Sequence, residues 1–166
     1  MRILLATDGS GSAGAALDFL LGFPFPAGSQ AIVLSVIDGK TFTEDKDLSD
    51  EQSRTIRETR DMVQADTEQF LAGEAERLRQ AGWAGSTQIR YGDPAEEIIR
   101  AVEEHDADLV VLGSHGTSGV RRFLLGSVSD RVFEYAPCSV LIVKPGRPPV
   151  TPKRWLVAFD DSPPAR

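Results

Sequence analysis

Five short apolar runs alternate with longer amphipathic segments, and this alternation constrains the fold of the chain more than any other feature. The runs occupy residues 3–6, 31–37, 87–91, 109–112 and 138–143. The third, TQIRY, is the least apolar, so we predict a more exposed strand there. Helical patterns occupy residues 12–21, 50–81, 94–105 and 127–135. Because near-continuous apolar strands joined by helices are typical of a parallel sheet covered on both faces, we predict a three-layer α/β sandwich with a five-stranded parallel sheet.

Local signals fix where several of these helices begin and end. The sequence FPFP at 23–26 should end the first helix, because proline has no amide donor and restricts the residue before it. Gly82 should close the long helix at 50–81, and Asp93-Pro94 reads as an N-cap followed by the first residue of a helix. The apolar positions of the long helix recur at about two-turn spacing and predict a stripe that faces the core. They are Ile56, Val63, Phe70, Leu71 and Leu78.

Composition excludes some functions and predicts a location. The chain has 166 residues and a net charge of −7, which argues against non-specific binding to nucleic acid or to anionic membranes. A bound anion must therefore be held locally, by backbone amides and a few arginines. The single cysteine, Cys138, rules out an intrachain disulfide, and no long apolar segment opens the chain. We expect a cytoplasmic protein in which Cys138 is a packed small residue.

The end of the sequence repeats its beginning. RWLVAFDDSPPA at 154–165 matches RILLATDGSGSA at 2–13 at six of twelve positions. Four prolines fall within residues 144–152, which is typical of a stiff linker. We therefore predict a domain at 1–145, a proline-rich linker at 146–153, and the first strand of a second copy at 154–166. In this interpretation the chain is a tandem protein cut after that strand.

The first glycine-rich loop, GSGSAG at 9–14, has the spacing of a dinucleotide fingerprint. It follows a predicted strand, opens a helix, and has Asp38 at the end of the next strand. Asp8, however, would repel a pyrophosphate at this place. The second copy keeps Asp160 and Ser162 but none of the glycines. Binding of a nicotinamide dinucleotide therefore remains an alternative.

The second loop, GSHGTSGVRRFLLGS at 113–127, lacks the lysine of a Walker motif. Gly113 and Gly116 let backbone approach a ligand, and Gly126-Ser127 opens a helix whose free amides suit an anion. Arg121 or Arg122 could add positive charge. Ser114-His115 invites a nucleophile–base interpretation, but adjacent residues seldom present that geometry, so we expect a loop-shaping or ligand-contacting role. Two histidines and one cysteine, widely spaced, give no metal-site pattern.

Five segments in order carry a family resemblance. The spacing Gly-x2-Gly-x9-Gly-Ser after VVLGSHG resembles the nucleotide-binding branch of the universal stress protein family. Four further segments resemble it too: ILLATDGS, VLSVID, YGDPAEEI and PCSVLIVK. The likeness runs from about residue 1 to 145 and implies a sheet of order 3-2-1-4-5. The repeat at 154–165 resembles a tandem member.

The resemblance implies a site for ATP, with Mg²⁺ as a possible companion, in a stress-response regulatory protein. Ala6, Thr7 and Asp8 would border the adenosine, and Val36 would pack on the adenine. Gly113 and Gly116 would approach the ribose and phosphates, with His115 between them as a ligand contact. Gly126, Ser127 and Val128 would cradle the phosphates. No catalytic residue is assigned, so hydrolysis would be slow at most. A homodimer through the edge strand 138–143 is also implied. The alternatives are an NAD-binding oxidoreductase domain that uses GSGSAG, or a partner-interaction domain that binds no ligand.

Overall fold

The computed structural model describes residues 1–39, 49–116 and 125–146. Arg121, Arg122 and the predicted second-copy strand at 154–166 lie outside these ranges, as does all of the predicted linker except Gly146. None of the helices within these ranges combines the length and the apolar composition of a membrane span.

Strands and helices alternate throughout the described residues. In chain order they are β1 (Arg2–Ala6), α1 (Gly11–Gly22), β2 (Gln30–Asp38), α2 (Asp50–Gln80), β3 (Ala84–Gly92), α3 (Pro94–Glu104), β4 (Leu109–Gly113), α4 (Ser127–Tyr135) and β5 (Ser139–Val143). The strands form one parallel sheet of order β3-β2-β1-β4-β5. The predicted α/β fold and strand order are confirmed.

The sheet separates two apolar cores, because successive side chains of a strand point to opposite faces. Ile3 and Leu5 of β1 face α1 and α2, where they pack with Leu17 and Leu71. Leu4 and Ala6 face α3 and α4 and join the second core. Each central strand is therefore covered on both sides, which explains its uninterrupted apolar sequence.

The helix ends follow the predicted local signals. The Asp93 side chain accepts hydrogen bonds from the amides of Ala95 and Glu96, with Pro94 as the first helical residue. Gly82 follows α2 with φ +84, in the left-handed region that favours glycine. At the other end of α2, Ser49 and Gln52 form a capping box, so both ends of this long helix are fixed by local hydrogen bonds.

The predicted apolar stripe of α2 is wrong in its N-terminal half. In that half Ile56 and Val63 are only partly buried, whereas Leu71 and Leu78 farther along the helix are buried. Phe70, beside Leu71, is 36% exposed and also departs from the predicted stripe. The helix has 31 residues and spans roughly 46 Å at about 1.5 Å per residue. The sheet that it covers is shorter, since β3 has only nine residues. The first turns of α2 therefore extend past the sheet.

Candidate functional site

A cleft of about 350 Å³ opens at the carboxyl ends of β1 and β4. The chain leaves β1 towards α1 on one face of the sheet and leaves β4 towards α4 on the other, so this is the switch point where open α/β sheets bind ligands. All ten predicted site residues line the cleft: Ala6, Thr7, Asp8, Val36, Gly113, His115, Gly116, Gly126, Ser127 and Val128. Their contact with a ligand remains a prediction.

One wall of the cleft is apolar and comes from three elements. Ala6, Leu34 and Leu112 contribute from the sheet, Ile98 from α3, and Val128 from α4. Leu34, Leu112 and Ile98 were missed as site residues. The two leucines could have been found from the two-residue period of the strands, because Leu34 shares a face with Val36 and Leu112 pairs in register with Ala6.

Asp8 reaches from the loop after β1 to the loop after β4. Its Oδ1 accepts a hydrogen bond of 3.0 Å from the amide of Ser10. Its Oδ2 lies so close to Gly116 that a Cβ built on that glycine would be 2.6 Å away. Gly9, with φ +74, makes the turn between Asp8 and Ser10. A second carboxylate, Asp38, also lines the cleft, so this part of the cleft is acidic.

The start of α4 is fixed to the end of β4 by two hydrogen bonds. The Gly126 amide donates to the Ser114 carbonyl at 2.8 Å, and the buried Ser129 hydroxyl donates to the Gly113 carbonyl at 2.8 Å. The first helical bond runs from the Asp130 amide to Gly126, which leaves the amides of Ser127, Val128 and Ser129 outside the helical ladder. These amides and the positive end of the helix dipole form an anion-binding geometry beside the cleft.

The structure gives Gly113 a packing role in addition to the predicted approach of its backbone to a ligand. A Cβ there would lie 2.6 Å from the Ser12 carbonyl carbon and 2.8 Å from the Ala13 nitrogen. The missing side chain of Gly113 therefore lets α1 pack on β4, while its backbone lines the cleft. This contact depends on how α1 crosses β4, which spacing within the loop does not reveal.

The glycines of the first loop, Gly9, Gly11 and Gly14, do not have the packing role that glycines have in a dinucleotide fingerprint. In that fingerprint the third glycine permits close packing of the helix on the strand. A Cβ on Gly14, or on Gly11, would meet nothing within 4 Å. Of the three, only Gly9 has positive φ. The helix instead starts from Ser10, whose hydroxyl accepts from the Ala13 amide.

Ser114 and His115 do pair, contrary to the expectation for adjacent residues. Ser114 Oγ lies 3.0 Å from His115 Nδ1. Ser114 is only 1% exposed, however, and does not line the cleft, so its hydroxyl is shielded from any substrate there. The pair holds the imidazole in place, which agrees with the predicted loop-shaping role.

An ion pair joins α3 and α4 at the side of the cleft. Arg131 Nη1 lies 2.8 Å from Asp93 Oδ1, directly before the cleft residue Pro94. Burial raises the pKa of Asp93, but the hydrogen bonds from Glu96 and from Arg131 outweigh burial and lower this pKa below its usual value. The N-cap of α3 is thus a stable anion that fixes the two helices relative to each other.

The described residues contain no cluster of three or more metal-ligating side chains. Burial raises the pKa of the Cys138 thiol, in keeping with the packed residue predicted from the sequence.

Several known proteins are similar to this chain. A putative universal stress protein from Staphylococcus epidermidis is 30% identical over 145 residues, which cover 86% of this chain and 83% of that protein. The universal stress protein of Methanothermobacter thermautotrophicus is 50% identical over 56 residues, or 34% of this chain. The matches to the relatives from Methanothermobacter thermautotrophicus, Methanocaldococcus jannaschii and Bacillus subtilis span 38%, 34% and 60% of those proteins.

Solved structures share the fold. The hypothetical protein MJ0577 has a TM-score of 0.79 and 27% identity, over 87% of this chain and 96% of that one. An Arabidopsis thaliana universal stress protein family protein with AMP bound has a TM-score of 0.62 and 20% identity, over 87% and 91% of the two chains. The model of the universal stress protein family matches residues 1–144. With this match over most of its length, the chain belongs to the universal stress protein family.

Proposed function

We propose that the cleft between β1 and β4 binds an adenine nucleotide, ATP foremost, and that occupancy of the cleft is a regulatory signal. One observation carries this proposal. A single cleft combines an apolar wall, an acidic corner and the free amides at the start of α4. A nucleotide has an apolar base, a ribose with hydroxyl donors and an anionic phosphate chain, so its parts match these features in kind.

The adenosine belongs at the acidic corner. The carboxylates of Asp8 and Asp38 would repel phosphates but can accept hydrogen bonds from ribose hydroxyls or from the amino group of the base. Val36, which is half-buried, offers apolar surface for the base nearby, and the buried Leu34 lies on the same face of β2. The volume of about 350 Å³ lies within the range of small-molecule sites.

The phosphates belong at the start of α4. The amides of Ser127 and Val128 can donate to phosphate oxygens, and the Ser127 hydroxyl can add a further donor. The phosphate end of the cleft is built from backbone amides and a hydroxyl, which bind phosphates, and we propose binding with at most slow hydrolysis. A Mg²⁺ ion, where present, would be held by the phosphates. The fold also accommodates an adenine nucleotide in the AMP-bound Arabidopsis protein.

A pair of proline substitutions tests which helix start receives the phosphates. Ser127→Pro removes an amide at the first position of α4, and Gly11→Pro removes the matching amide of α1. Proline is tolerated at this position. The residues before them, Gly126 with ψ 156 and Ser10 with ψ 161, already have the extended backbone that proline requires. Both variants should therefore fold.

We expect Ser127→Pro to lower ATP affinity about tenfold or more in calorimetry, since a hydrogen bond to a charged group contributes about 1.5–3 kcal/mol. Gly11→Pro should leave the affinity unchanged. The opposite result, with NADH bound and Gly11→Pro impaired, would favour the dinucleotide alternative. A chain that binds neither ATP, AMP nor NADH would instead be a partner-interaction domain.

We further propose that the chain forms a homodimer through β5. This strand lies at the edge of the sheet, and its residues Val140–Val143 are only half-buried in a run of four apolar side chains. An exposed apolar edge invites pairing with another chain. In a tandem protein with domains at 1–145 and from 154 onward, the second copy would take this place. Light scattering after size exclusion tests the proposal; a monomer at micromolar concentration would contradict it.

A further inference from the structure

His115 lies where the nucleotide phosphates are proposed to sit. The chain has two histidines, and only His115 lines the cleft. Its Cα is 3.3 Å from the position of a Cβ built on Gly126, the N-cap of α4. The residue therefore lies directly beside the helix start whose amides face the cleft.

The loop holds His115 in one arrangement. Ser114 Oγ is 3.0 Å from Nδ1 of the ring, and Ser114 itself is buried. The backbone carbonyl of His115 accepts a hydrogen bond of 3.4 Å from the Ser10 hydroxyl. A ring fixed in this way loses little freedom when it contacts a ligand, which favours binding.

Among the described residues that line the cleft, His115 is the one whose side chain can carry a positive charge. Among the described residues that line it, there is no lysine or arginine, and the charged or titratable side chains are Asp8, Asp38 and His115. Histidine is the side chain whose charge ordinarily changes between about pH 5 and 8. Protonation of one ring thus changes the charge of the cleft wall near α4.

We propose that His115 contacts a nucleotide phosphate and that its protonation makes nucleotide occupancy tighter at acid pH. The proposal rests on the proposed function and names the group that couples it to pH. An imidazolium donates a charge-assisted hydrogen bond to a phosphate oxygen, which is stronger than the bond from a neutral ring. At a fixed nucleotide concentration, a larger fraction of the protein would then have nucleotide bound in acidic solution than in neutral solution.

Other charges near this edge of the sheet are compatible with a cation at His115. Asp8 lies against the neighbouring Gly116 and would attract it. Arg131 of α4 is paired with carboxylates of α3. Further charged groups of the described elements near this edge are, besides Asp8, Asp38 of β2, Asp50 and Glu51 at the start of α2, Asp93, Glu96 and Glu97 at the start of α3, Asp130 and Arg131 of α4, and Lys144 after β5. Glu97 is paired with Arg90 and Arg100.

Two matched variants test the proposal, because each removes one of the two histidines. His115→Gln removes the ring in the cleft. His105→Gln is the control, since His105 caps the far end of α3 and does not line the cleft. Calorimetry with ATP at about pH 6 and about pH 8 compares the variants. Phosphate itself titrates near pH 6, so the readout is the ratio of the two affinities at each pH, in which the titration of the ligand cancels.

We expect His105→Gln to bind ATP about five- to tenfold more tightly than His115→Gln at pH 6, and equally within about twofold at pH 8. Adenosine, which has no phosphate, should not distinguish the variants. An equal affinity ratio at both pH values would overturn the role of His115 while leaving nucleotide binding intact. A wild-type chain that binds no nucleotide at either pH would overturn the proposed function with it.

A histidine NMR titration gives a readout other than affinity. In His105→Gln the remaining ring signal belongs to His115. Its titration midpoint should rise when ATP is added, because the phosphate stabilises the charged ring. An unmoved midpoint in the presence of bound ATP would contradict the contact.

Discussion

Replacing Gly113 by alanine should destabilise the whole domain, independently of any ligand. The new Cβ would lie 2.6 Å from the carbonyl carbon of Ser12, 2.7 Å from the Cβ of Ser12 and 2.8 Å from the nitrogen of Ala13. Two of these three atoms belong to the backbone at the start of α1, so rotation of a side chain cannot relieve the clash. Either α1 moves away from β4, or the end of β4 shifts from its neighbours.

The size of the effect follows from the cost of an added carbon in a packed region. Overpacking ordinarily costs about 1–3 kcal/mol, and a backbone clash belongs at the upper part of that range. For a domain of this size, about 1 kcal/mol changes Tm by roughly 2–4 °C. We therefore expect Gly113→Ala to lower Tm by about 4–12 °C.

Gly14→Ala is the matched control, because a Cβ there meets nothing within 4 Å and the residue lies inside α1. Alanine is favoured over glycine in a helix by about 0.5–1 kcal/mol, so this variant should be slightly more stable than wild type. Thermal unfolding followed by circular dichroism, without nucleotide, measures both. A Gly113→Ala protein that melts within about 1 °C of wild type would refute the packing role of this glycine.

Three further outcomes are expected. Leu78→Ala should lower the free energy of unfolding in urea by about 2–5 kcal/mol, because Leu78 is 1% exposed. Ile56→Ala should lower it by less than about 1 kcal/mol, because Ile56 is only partly buried. Equal losses would contradict the extension of α2 past the sheet. Asp93→Asn should lower stability by about 1 kcal/mol at neutral pH. The difference should shrink as the solution is made acidic, because the pKa of Asp93 is lowered in the folded protein and its contribution is lost as pH falls through that pKa. A difference that persists when the carboxyl is protonated would contradict the ion pair. Gly116→Ala should weaken ATP binding in calorimetry with little change in Tm, because its Cβ would displace only the carboxylate of Asp8; unchanged affinity would separate Asp8 from the ligand.

The fold was largely predictable because its signals are local. Apolar runs fixed the strands, and caps such as Asp93-Pro94 and Gly82 fixed helix ends. The strand order came from family resemblance. The burial of α2 was not predictable from its stripe, because an apolar period says which side of a helix faces a core but not how far the core extends along it. Ile56 and Val63, in the first turns of α2, are only partly buried although they continue the stripe of Leu71 and Leu78.

The residues that line the cleft were predictable from the sequence, but the contacts that position them were less so. The ten expected residues line one cleft, since the carboxyl ends of β1 and β4 meet at the switch point. The buried bond from Ser129 to the Gly113 carbonyl, and the approach of Ser12 to Gly113, join residues far apart in the chain. Such contacts depend on how helices cross strands, which the spacing of residues within a single loop does not encode.

Each motif glycine of the second loop accommodates a neighbour within the protein. Gly113 admits α1, Gly116 admits the carboxylate of Asp8, and Gly126 fits against the backbone of His115. The glycine spacing therefore specifies the shape of the cleft rather than contact with a particular ligand. A relative could keep all three glycines, keep the cleft and bind nothing. The side chains between the glycines decide what enters, and here the residue at the start of α4 can donate to an anion while His115 can change its charge. Substitutions at Ser127 and His115 should consequently alter ligand binding without altering the fold.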